Sequence, residues 1–332
     1  MKTLITLTTC CILTGILFFA CQKDQQPAKV TEEIPATVLT KISALGFSKK
    51  GVIKVKSGYL VEGDILLTES DLDKKQDIIR LHVAETEHYR TNRLILFGVD
   101  DIGSRILYVS VENLSANYIT AVDAAIARYN ALQLRIRFTR IQSGGQIVIA
   151  NGALPADVLG SSGFPDGNGN PANRIVLNVG AIGNNFPIGW MTSIITHELG
   201  HCIGFRHTDY ANRNYSCGSD PHPDEGQSSS GAILIPGTPS GPDADSWMLA
   251  CSNGTDRPFT TNDQLALNYL YGCGYEGSKV INGICETGEK RYTSSVRQGN
   301  VYRCTYVYVF SDGSVSRSFF STGSFPCLVD PI

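Results

Sequence analysis

The stretch His197–His207 reads HELGHCIGFRH and holds three of the six histidines of the chain. On a helix, residues four apart lie above one another on one face, so His197 and His201 can bind one metal ion together. Glu198 lies one position round the helix, close enough to reach a water molecule beside the ion but poorly placed to be a ligand. The spacing therefore predicts a helix that carries two metal ligands and a general base.

His207 follows His201 by six residues, too far to reach the same ion on a continued helix. The chain must turn, and Gly204 can adopt the positive φ that ends a helix. Three neutral imidazoles leave a fourth position of Zn²⁺ open for water, as in catalytic zinc sites. We therefore predict one catalytic zinc ion with His197, His201 and His207 as ligands. Glu198 is the predicted general base, taking a proton from zinc-activated water and passing it to the leaving amine.

Chance is a poor explanation of this pattern. Its five specified positions would coincide by accident at a rate on the order of 10⁻⁵ per chain. A cysteine-based zinc site is not expected, because the sequence has no C-x-x-C pair. The net charge of −3 gives no sign of nucleic-acid binding, which needs a clustered basic surface. We expect protein or peptide substrates and a monomer.

The pattern resembles the metzincin signature H-E-x-x-H-x-x-G-x-x-H, which is followed by a Met-turn. Met248, in ADSWMLACS, is the one methionine after the motif, and the resemblance implies that it supports the zinc ligands from below. THELGHCIGFRHTD, with a lipoprotein-like leader, is most similar to the bacterial dual-action HEIGH metallopeptidases. The resemblance covers about residues 95–272 and implies a zinc endopeptidase that hydrolyses peptide bonds of extracellular proteins.

Strand and helix patterns before the motif match the upper half of a metzincin. We therefore predict an α+β, metzincin-like fold with a mixed sheet and an active-site helix. The resemblance implies that Arg174–Val179 is the edge strand that pairs with extended substrate. Astacins fit less well, because they have a tyrosine two residues after the methionine, where this chain has Ala250. Which group stabilises the oxyanion stays open. A later helix is predicted to begin with a capping box of Thr261 and Gln264.

YLVEGDILL, residues 59–67, resembles the F-x-G-D-I stretch of astacin pro-segments, in which an aspartate fills the open zinc position. Asp64 is the matching residue, with Val61 in place of Phe. The resemblance implies a latency switch that is released by cleavage in the charged connection of residues 73–93, near Arg90–Arg93. An ordinary turn between two strands is the alternative, because Gly-Asp is common in turns.

The N-terminus has the pattern of an export signal. An apolar run, Leu4–Ala20, follows Met1–Lys2 and is too short for a comfortable transmembrane helix. LFFAC resembles the lipobox of bacterial lipoproteins, which implies lipidation of Cys21 and a membrane anchor. We expect an outer-membrane or cell-surface location, or secretion after release. Simple cleavage and secretion without a lipid is the alternative.

Seven cysteines follow Cys21, and export favours disulfides among them, with one thiol left over. Cys202 falls on the apolar face of the active-site helix, so we predict that it is buried or disulfide-bonded rather than a nucleophile. The pairing stays open. The last four cysteines and a hairpin signal at Asp312–Gly313 predict a small C-terminal β module with disulfides.

The predicted order of parts is a signal peptide (1–20), a lipidated tether (21–34), a pro-segment with activation linker (35–94), a catalytic domain (95–272) and the C-terminal module (273–332). Calcium is possible but disfavoured in the loop that starts at Asp166, because Pro171 takes the position that needs glycine. Three isolated histidines are predicted to be solvated: His82, His88 and His222.

Two other functions share the scaffold. One is a specialised glycoprotein or cell-wall peptidase, which would share the zinc site. The other is a catalytically silent binding lipoprotein, which the presence of Glu198 and all three histidines argues against.

Overall fold

The computed structural model describes residues 33–73, 88–97, 104–218, 232–238, 241–273, 277–282 and 284–329. The chain divides into two compact units, Met1–Glu33 and Ile34–Ile332, and the helices and strands of the described residues belong to the second. Its helices are α1 (Ala36–Ala44), α2 (Glu69–Leu72), α3 (Ala116–Asn130), α4 (Val179–Ile182), α5 (Ile188–Cys202), α6 (Asn214–Cys217) and α7 (Thr261–Tyr271). None of these helices has the length and apolar content needed to cross a bilayer.

The strands of the first two sheets come from the N-terminal and central parts of the chain. They are β1 (Ile53–Val55), β2 (Gly58–Val61), β3 (Ile65–Leu67), β4 (Tyr89–Arg90), β5 (Arg105–Glu112), β6 (Ile136–Arg140), β7 (Ile147–Asn151), β8 (Gly160–Ser162), β9 (Arg174–Leu177) and β10 (Ile233–Leu234). The C-terminal strands are β11 (Ser278–Ile281), β12 (Ile284–Thr287), β13 (Glu289–Gln298), β14 (Val301–Val309) and β15 (Phe319–Gly323).

An eight-stranded mixed sheet is the main frame, in the order β1-β2-β3-β8-β9-β7-β5-β6. Strands β9, β7, β5 and β6 are parallel, whereas β8 runs antiparallel to β9. Helices α3 and α5 pack against this sheet through one buried apolar cluster, which includes Leu107, Val122, Ile149, Ile195 and Leu199. Burial of such side chains is the main stabilising contribution to a fold of this size. The α+β architecture with a mixed sheet and an active-site helix is confirmed.

The prediction that Arg174–Val179 is an edge strand is wrong. Strand β9 lies between β7 and β8, and Val179 already begins α4. The outer strand of the catalytic part is β8, whose three residues Gly-Ser-Ser carry none of the apolar alternation by which strands are recognised. A stretch of this composition favours a loop, so the sequence pattern leaves β9 as the outermost recognisable strand.

The N-terminal segment extends the sheet beyond β8. Strand β3 pairs with β8 in parallel, with Ile65 opposite Ser162, and the Ser162 amide donates to Asp64 O over 3.2 Å. Elements α1, α2, β2 and β3 share a small apolar cluster of their own, which includes Ile42, Val61 and Leu72. The hairpin of β2 and β3 therefore completes the sheet next to the active-site helix.

Residues 88–97 belong with the catalytic part. Strand β4 pairs with β10, the Thr91 amide donates to Gly204 O over 2.8 Å, and Ile95 lies in the main apolar cluster. These contacts tie the segment to the turn after α5. The region near Arg90–Arg93, predicted as an activation site, is thus built into the structure that holds the active site.

The C-terminal module consists of the β11–β12 hairpin and a three-stranded antiparallel sheet, β13-β14-β15. Its two disulfides are Cys273–Cys285 and Cys304–Cys327, and a third joins Cys217 to Cys251. The odd thiol is Cys202, which is buried. The predicted disulfide-bearing β module is confirmed.

Helix α7 begins with a different capping box from the predicted one. Thr260 and Asp263 form it, because the Asp263 amide donates to Thr260 Oγ1 and the Thr260 amide donates to Asp263 Oδ2. The predicted pair of Thr261 and Gln264 is wrong by one position. Asp263 is buried, unlike a typical capping residue at the surface, and its other partners link it to the active site.

Candidate active site

Helix α5 carries the first part of the site and ends at a glycine turn. One face, with Ile195, Leu199 and Cys202, is buried in the core. At the end of the helix, the Gly204 amide donates to His201 O over 2.9 Å and the Phe205 amide donates to Gly200 O over 3.0 Å. These two bonds form a Schellman motif, which requires a left-handed residue, and Gly204 has φ +108°. The turn sends the chain back so that His207 faces the helix.

The three histidines of the motif converge on one point. Their Nε2 atoms lie 3.0 Å apart for His197 and His201, 3.2 Å for His201 and His207, and 3.3 Å for His197 and His207. The Nδ1 atoms of two rings point away from this centre: His197 Nδ1 donates to Trp247 O over 2.9 Å, and His201 Nδ1 donates to Phe205 O over 2.8 Å. These backbone acceptors place the proton on Nδ1 and leave the Nε2 lone pair for a metal.

This donor set fits a zinc ion. Ligand nitrogens at about 2.0–2.1 Å from Zn²⁺ in a tetrahedron lie roughly 3.4 Å from one another, close to the spacing of the three Nε2 atoms. Burial lowers the pKa of His201 to about 4, so this ring is in its neutral, ligating form at neutral pH. Three lone pairs facing one another would repel without a cation between them, which a metal ion resolves.

Asp64 joins the histidines from the tip of the β2–β3 hairpin. Its Oδ2 atom lies 3.0 Å from His207 Nε2, 3.4 Å from His197 Nε2 and 3.8 Å from His201 Nε2. Burial alone would raise the pKa of Asp64, but the three imidazole rings around its Oδ2 atom, that of His207 above all, outweigh it and hold the pKa well below its usual range. Asp64 is thus both a turn residue and a fourth potential ligand.

Glu198 lies beside the metal ligands and is 2% exposed. Ser162 Oγ donates to Glu198 Oε2 over 2.7 Å, and the carboxylate packs against Gly160, where a Cβ atom would lie 2.6 Å from Oε1. Strand β8 therefore has two roles: Gly160 leaves room for the carboxylate, and Ser162 orients it. Burial raises the pKa of Glu198 well above its usual range, and the negative charge of Asp64 adds to this.

Met248 lies under the site, fully buried. A Cβ atom on Gly200 would lie 2.6 Å from Met248 Sδ, so the thioether packs directly against the active-site helix. The Met248 carbonyl accepts from the Thr208 amide over 2.9 Å, and the preceding carbonyl, of Trp247, holds His197. The turn at Met248 therefore contacts the chain on both sides of Gly204, at His197 and next to His207.

A buried pair holds this turn from behind. His88 Nε2 lies 2.7 Å from Asp263 Oδ1, and both side chains are fully buried. Asp263 also accepts from Ser246 Oγ over 2.8 Å and from the Trp247 amide over 3.3 Å. The prediction that His88 is solvated is wrong, because its side chain is buried against Asp263. The sequence does not reveal this pair, because the two residues lie 175 positions apart. His82 and His222 lie outside the described residues, as does Cys21.

The sequence pattern of the dual-action HEIGH metallopeptidases matches residues 59–271, which is more than half of the chain. The chain belongs to this family. The match begins at the β2–β3 hairpin and ends with α7, so it spans Asp64 and the whole histidine site. This HEIGH metallopeptidase therefore hydrolyses peptide bonds of protein or peptide substrates with the help of a metal ion, which confirms the predicted class of enzyme, and its histidine cluster fits the predicted zinc ion.

Three solved structures show distant similarity to this HEIGH metallopeptidase. One structure of myroilysin is 15% identical, and the match covers 51% of this chain and 84% of the myroilysin chain, with a TM-score of 0.33. A second structure of myroilysin is 14% identical, and the match covers 51% of this chain and 93% of the myroilysin chain, with a TM-score of 0.35. High choriolytic enzyme 1, a hatching enzyme zinc-protease from Oryzias latipes, is 17% identical over 52% of this chain and 91% of its own, with a TM-score of 0.28. No curated protein matches the sequence significantly.

The loop at Asp166 is a hydrogen-bonded turn in this HEIGH metallopeptidase. Asp166 Oδ1 accepts from the backbone amides of Asn168 and Asn170, and Asn170 Oδ1 accepts from Arg105. The carboxylate thus closes the turn itself. Within the described residues, the cluster at Asp64 is the one group of histidine, cysteine or acidic side chains arranged for a metal ion.

Several contacts of the site escape sequence reasoning. Ser162 and Gly160 sit in a three-residue strand with no recognisable pattern. Arg206 and Arg213, both buried, bind the N-terminal hairpin at Glu62, 144 and 151 residues away. Arg206, inside the motif, is the one signal in the sequence that could have pointed to these contacts. It directly precedes a metal ligand, and a charge that is buried there needs a partner.

Proposed function

We propose that this metallopeptidase is an exported zymogen in which Asp64 blocks the zinc position and Glu198 is the general base of the processed enzyme. The observation that carries the proposal is the position of Asp64 Oδ2, within 3.0–3.8 Å of all three histidine Nε2 atoms. Carboxylate oxygen is a good zinc ligand. An aspartate at this point takes the place that the attacking water needs.

The residues that would hold zinc are His197, His201 and His207. Zinc bound there supplies a Lewis acid that lowers the pKa of water and polarises the scissile carbonyl. Glu198 accepts the proton of the attacking water and delivers it to the leaving amine. Ser162 keeps the carboxylate aimed at the site through its 2.7 Å hydrogen bond to Oε2.

Substrate would bind along β8 once the hairpin has left. Residues Gly160–Ser162 then offer an unpaired strand edge, and an extended peptide can add to it by backbone hydrogen bonds. A cavity of about 480 Å³ beside His197 and Glu198 reaches to the disulfide Cys217–Cys251 and can take a substrate side chain. The edge of β8 would thus bind the substrate backbone, and the cavity would bind one of its side chains.

Processing is expected before His88. Residues 88–97 pair with β10 and with the turn at Gly204, so cleavage near Arg90–Arg93 would cut a segment that supports the site. The charged connection of residues 74–87 precedes it and contains Lys74, Lys75 and Arg80. Cleavage there separates the hairpin from the catalytic part and leaves β4 in place.

The leader supports export as a lipoprotein anchored through Cys21, with extracellular proteins as substrates. Metabolic labelling with a fatty acid should mark the wild-type protein and not a Cys21→Ser variant, which should appear in the soluble fraction. A labelled Cys21→Ser protein would contradict the assignment of the anchor.

The function is tested on the full chain, folded and then cleaved within residues 74–87. The intact chain should hold one zinc ion and cut peptides poorly, and the processed chain should cut them. Glu198→Gln should keep the zinc and lose about 10²–10⁴-fold in kcat, the usual contribution of a general base. A processed wild-type chain that holds zinc and cuts nothing would overturn the proposal.

A further inference from the structure

The hairpin that carries Asp64 also inserts a glutamate beside the site. Glu62 Oε2 accepts from Arg206 Nη2, and each of the two side chains is only 1% exposed. Arg206 directly precedes the ligand His207, and its backbone is fixed by a bond from its amide to Tyr89 O over 2.9 Å. The catalytic part thus provides the cation of this buried pair, and the N-terminal segment provides the anion.

A second arginine binds the same hairpin through its backbone. Arg213 Nη1 donates to Glu62 O over 2.8 Å, and its guanidinium packs against Gly63, where a Cβ atom would lie 2.8 Å from Nη2. One arginine therefore contacts the side chain of Glu62 and the other its main chain. The first contact depends on the residue type, and the second does not.

Removal of the hairpin takes the carboxylate away and leaves Arg206 in place. A carboxylate that takes the vacated position would accept from Arg206 Nη2 as Glu62 does, and burial strengthens a charged hydrogen bond of this kind. The space next to it already exists. A cavity of about 580 Å³ lies between the N-terminal segment and the catalytic part, and three arginines line its catalytic side: Arg93, Arg174 and Arg206. Among the described residues on that side, Asp166, which closes its own turn, is the one acidic residue.

We propose that Arg206 selects an acidic side chain in the substrate, so that the enzyme prefers peptide bonds with a glutamate or aspartate at one fixed position near the point of cleavage. Glu62 occupies this subsite in the latent chain. Arg213 binds the substrate main chain beside it, whatever the sequence. The inference rests on the proposed function, because it requires that the hairpin leaves the cleft.

The first test uses the full chain, folded and then cleaved within residues 74–87, on a peptide library with sequencing of the products. Glutamate or aspartate should be enriched at one position near the cut. For a matched pair of peptides, Glu→Gln at that position should lower kcat/KM about 10- to 100-fold, the usual weight of a buried hydrogen bond to a charged group. Cleavage without any acidic preference would overturn the proposal, and it would leave the proposed function standing.

Arg206→Met should bring the ratio of kcat/KM for the Glu and Gln peptides to about one. Arg213→Met should lower kcat/KM for both peptides and keep their ratio. Arg137→Met, an exposed arginine on the far strand β6, is the control and should change neither value. A full Glu preference in Arg206→Met would contradict the role of Arg206. A processed chain that cuts no peptide would overturn the proposed function and this inference together.

A second test needs no catalysis and no removal of the hairpin. In the full chain, Glu62→Ala leaves room for a small carboxylate beside Arg206, so propionate should raise the melting temperature of this variant. Propionamide, of the same shape without the charge, should raise it less. Wild type, whose Glu62 fills the place, should respond to neither. Equal effects of propionate and propionamide on Glu62→Ala would show that the site does not recognise a carboxylate.

Discussion

Asp64 Oδ2 lies 3.0 Å from Nε2 of His207, although 143 residues separate the two in sequence. At this distance, the tip of the N-terminal hairpin lies among the three histidines that are the zinc ligands of this peptidase. The contact is held by more than the two side chains, because β3 pairs with β8 and Glu62 pairs with Arg206. The latency that we propose therefore depends on the whole docked hairpin.

Asp64→Ala should loosen latency without removing zinc. The three histidines remain, but the fourth position becomes accessible to water and to small chelators. We expect the intact variant to cleave peptides slowly and to lose zinc to a chelator faster than wild type. Glu69→Ala, an exposed carboxylate on the same segment, should behave as wild type. An intact Asp64→Ala chain that is as silent and as slow to lose zinc as wild type would argue against the switch.

Ser162→Ala should lower kcat more than it raises KM. The hydroxyl holds Glu198 Oε2 at 2.7 Å, and without it the carboxylate samples orientations that do not reach the attacking water. We expect a loss of about tenfold in kcat of the processed enzyme, equivalent to about 1.4 kcal/mol, with zinc content unchanged. Ser161→Ala is the matched control, because Ser161 Oγ has no hydrogen-bond partner among the described residues. Equal losses in the two variants would mean that packing, and not the orientation of Glu198, is responsible.

Gly204→Ala should destabilise the chain and weaken zinc binding together. A Cβ atom there would lie 2.9 Å from Arg93 O and 2.8 Å from Leu94 Cδ2, at a φ of +108°. The backbone strain alone costs about 1–3 kcal/mol, and relief of the clash moves the turn that carries His207. Thermal unfolding and a zinc competition assay measure the two effects. Gly254→Ala, at φ +79° with no atom within 4 Å of the added Cβ, carries strain without a clash and should leave zinc affinity unchanged.

His88→Ala should lower the free energy of unfolding by about 1–3 kcal/mol, because it leaves the buried Asp263 carboxylate without one partner. Asp263 also holds Ser246 and the Trp247 amide, so the variant should bind zinc less tightly as well. A double-mutant cycle with Asp263→Asn gives the coupling between the two residues from urea unfolding. Additive losses in the cycle would show that the pair does not act as a unit.

The sequence is informative where a function depends on residues close together in the chain. His197, His201, Gly204 and His207 lie within one helix and one turn, so helical spacing and the conformational range of glycine are enough to derive their arrangement. Asp64 and Met248 are recognised only through family resemblance, because spacing alone does not link a hairpin or a distant turn to this helix.

The partners that escape prediction are joined only by the order of strands in the sheet. Ser162 reaches Glu198 because β8 is the outer strand of the catalytic part, and a three-residue strand of small residues has no periodicity to detect. The pairs Glu62–Arg206 and His88–Asp263 bring together residues 144 and 175 positions apart. Nothing in local propensity distinguishes these charged residues from solvated ones, and their burial is decided by tertiary packing.

The pairing of β3 with β8 also bears on how this protein reaches its folded state. A bare strand edge recruits other chains, and it is most dangerous while a protein is still being exported and is not yet compact. In this chain the edge that we propose for substrate is covered by a strand of the same molecule. The contact that we propose restrains proteolysis should therefore also protect against aggregation, and a chain made without its hairpin should be insoluble.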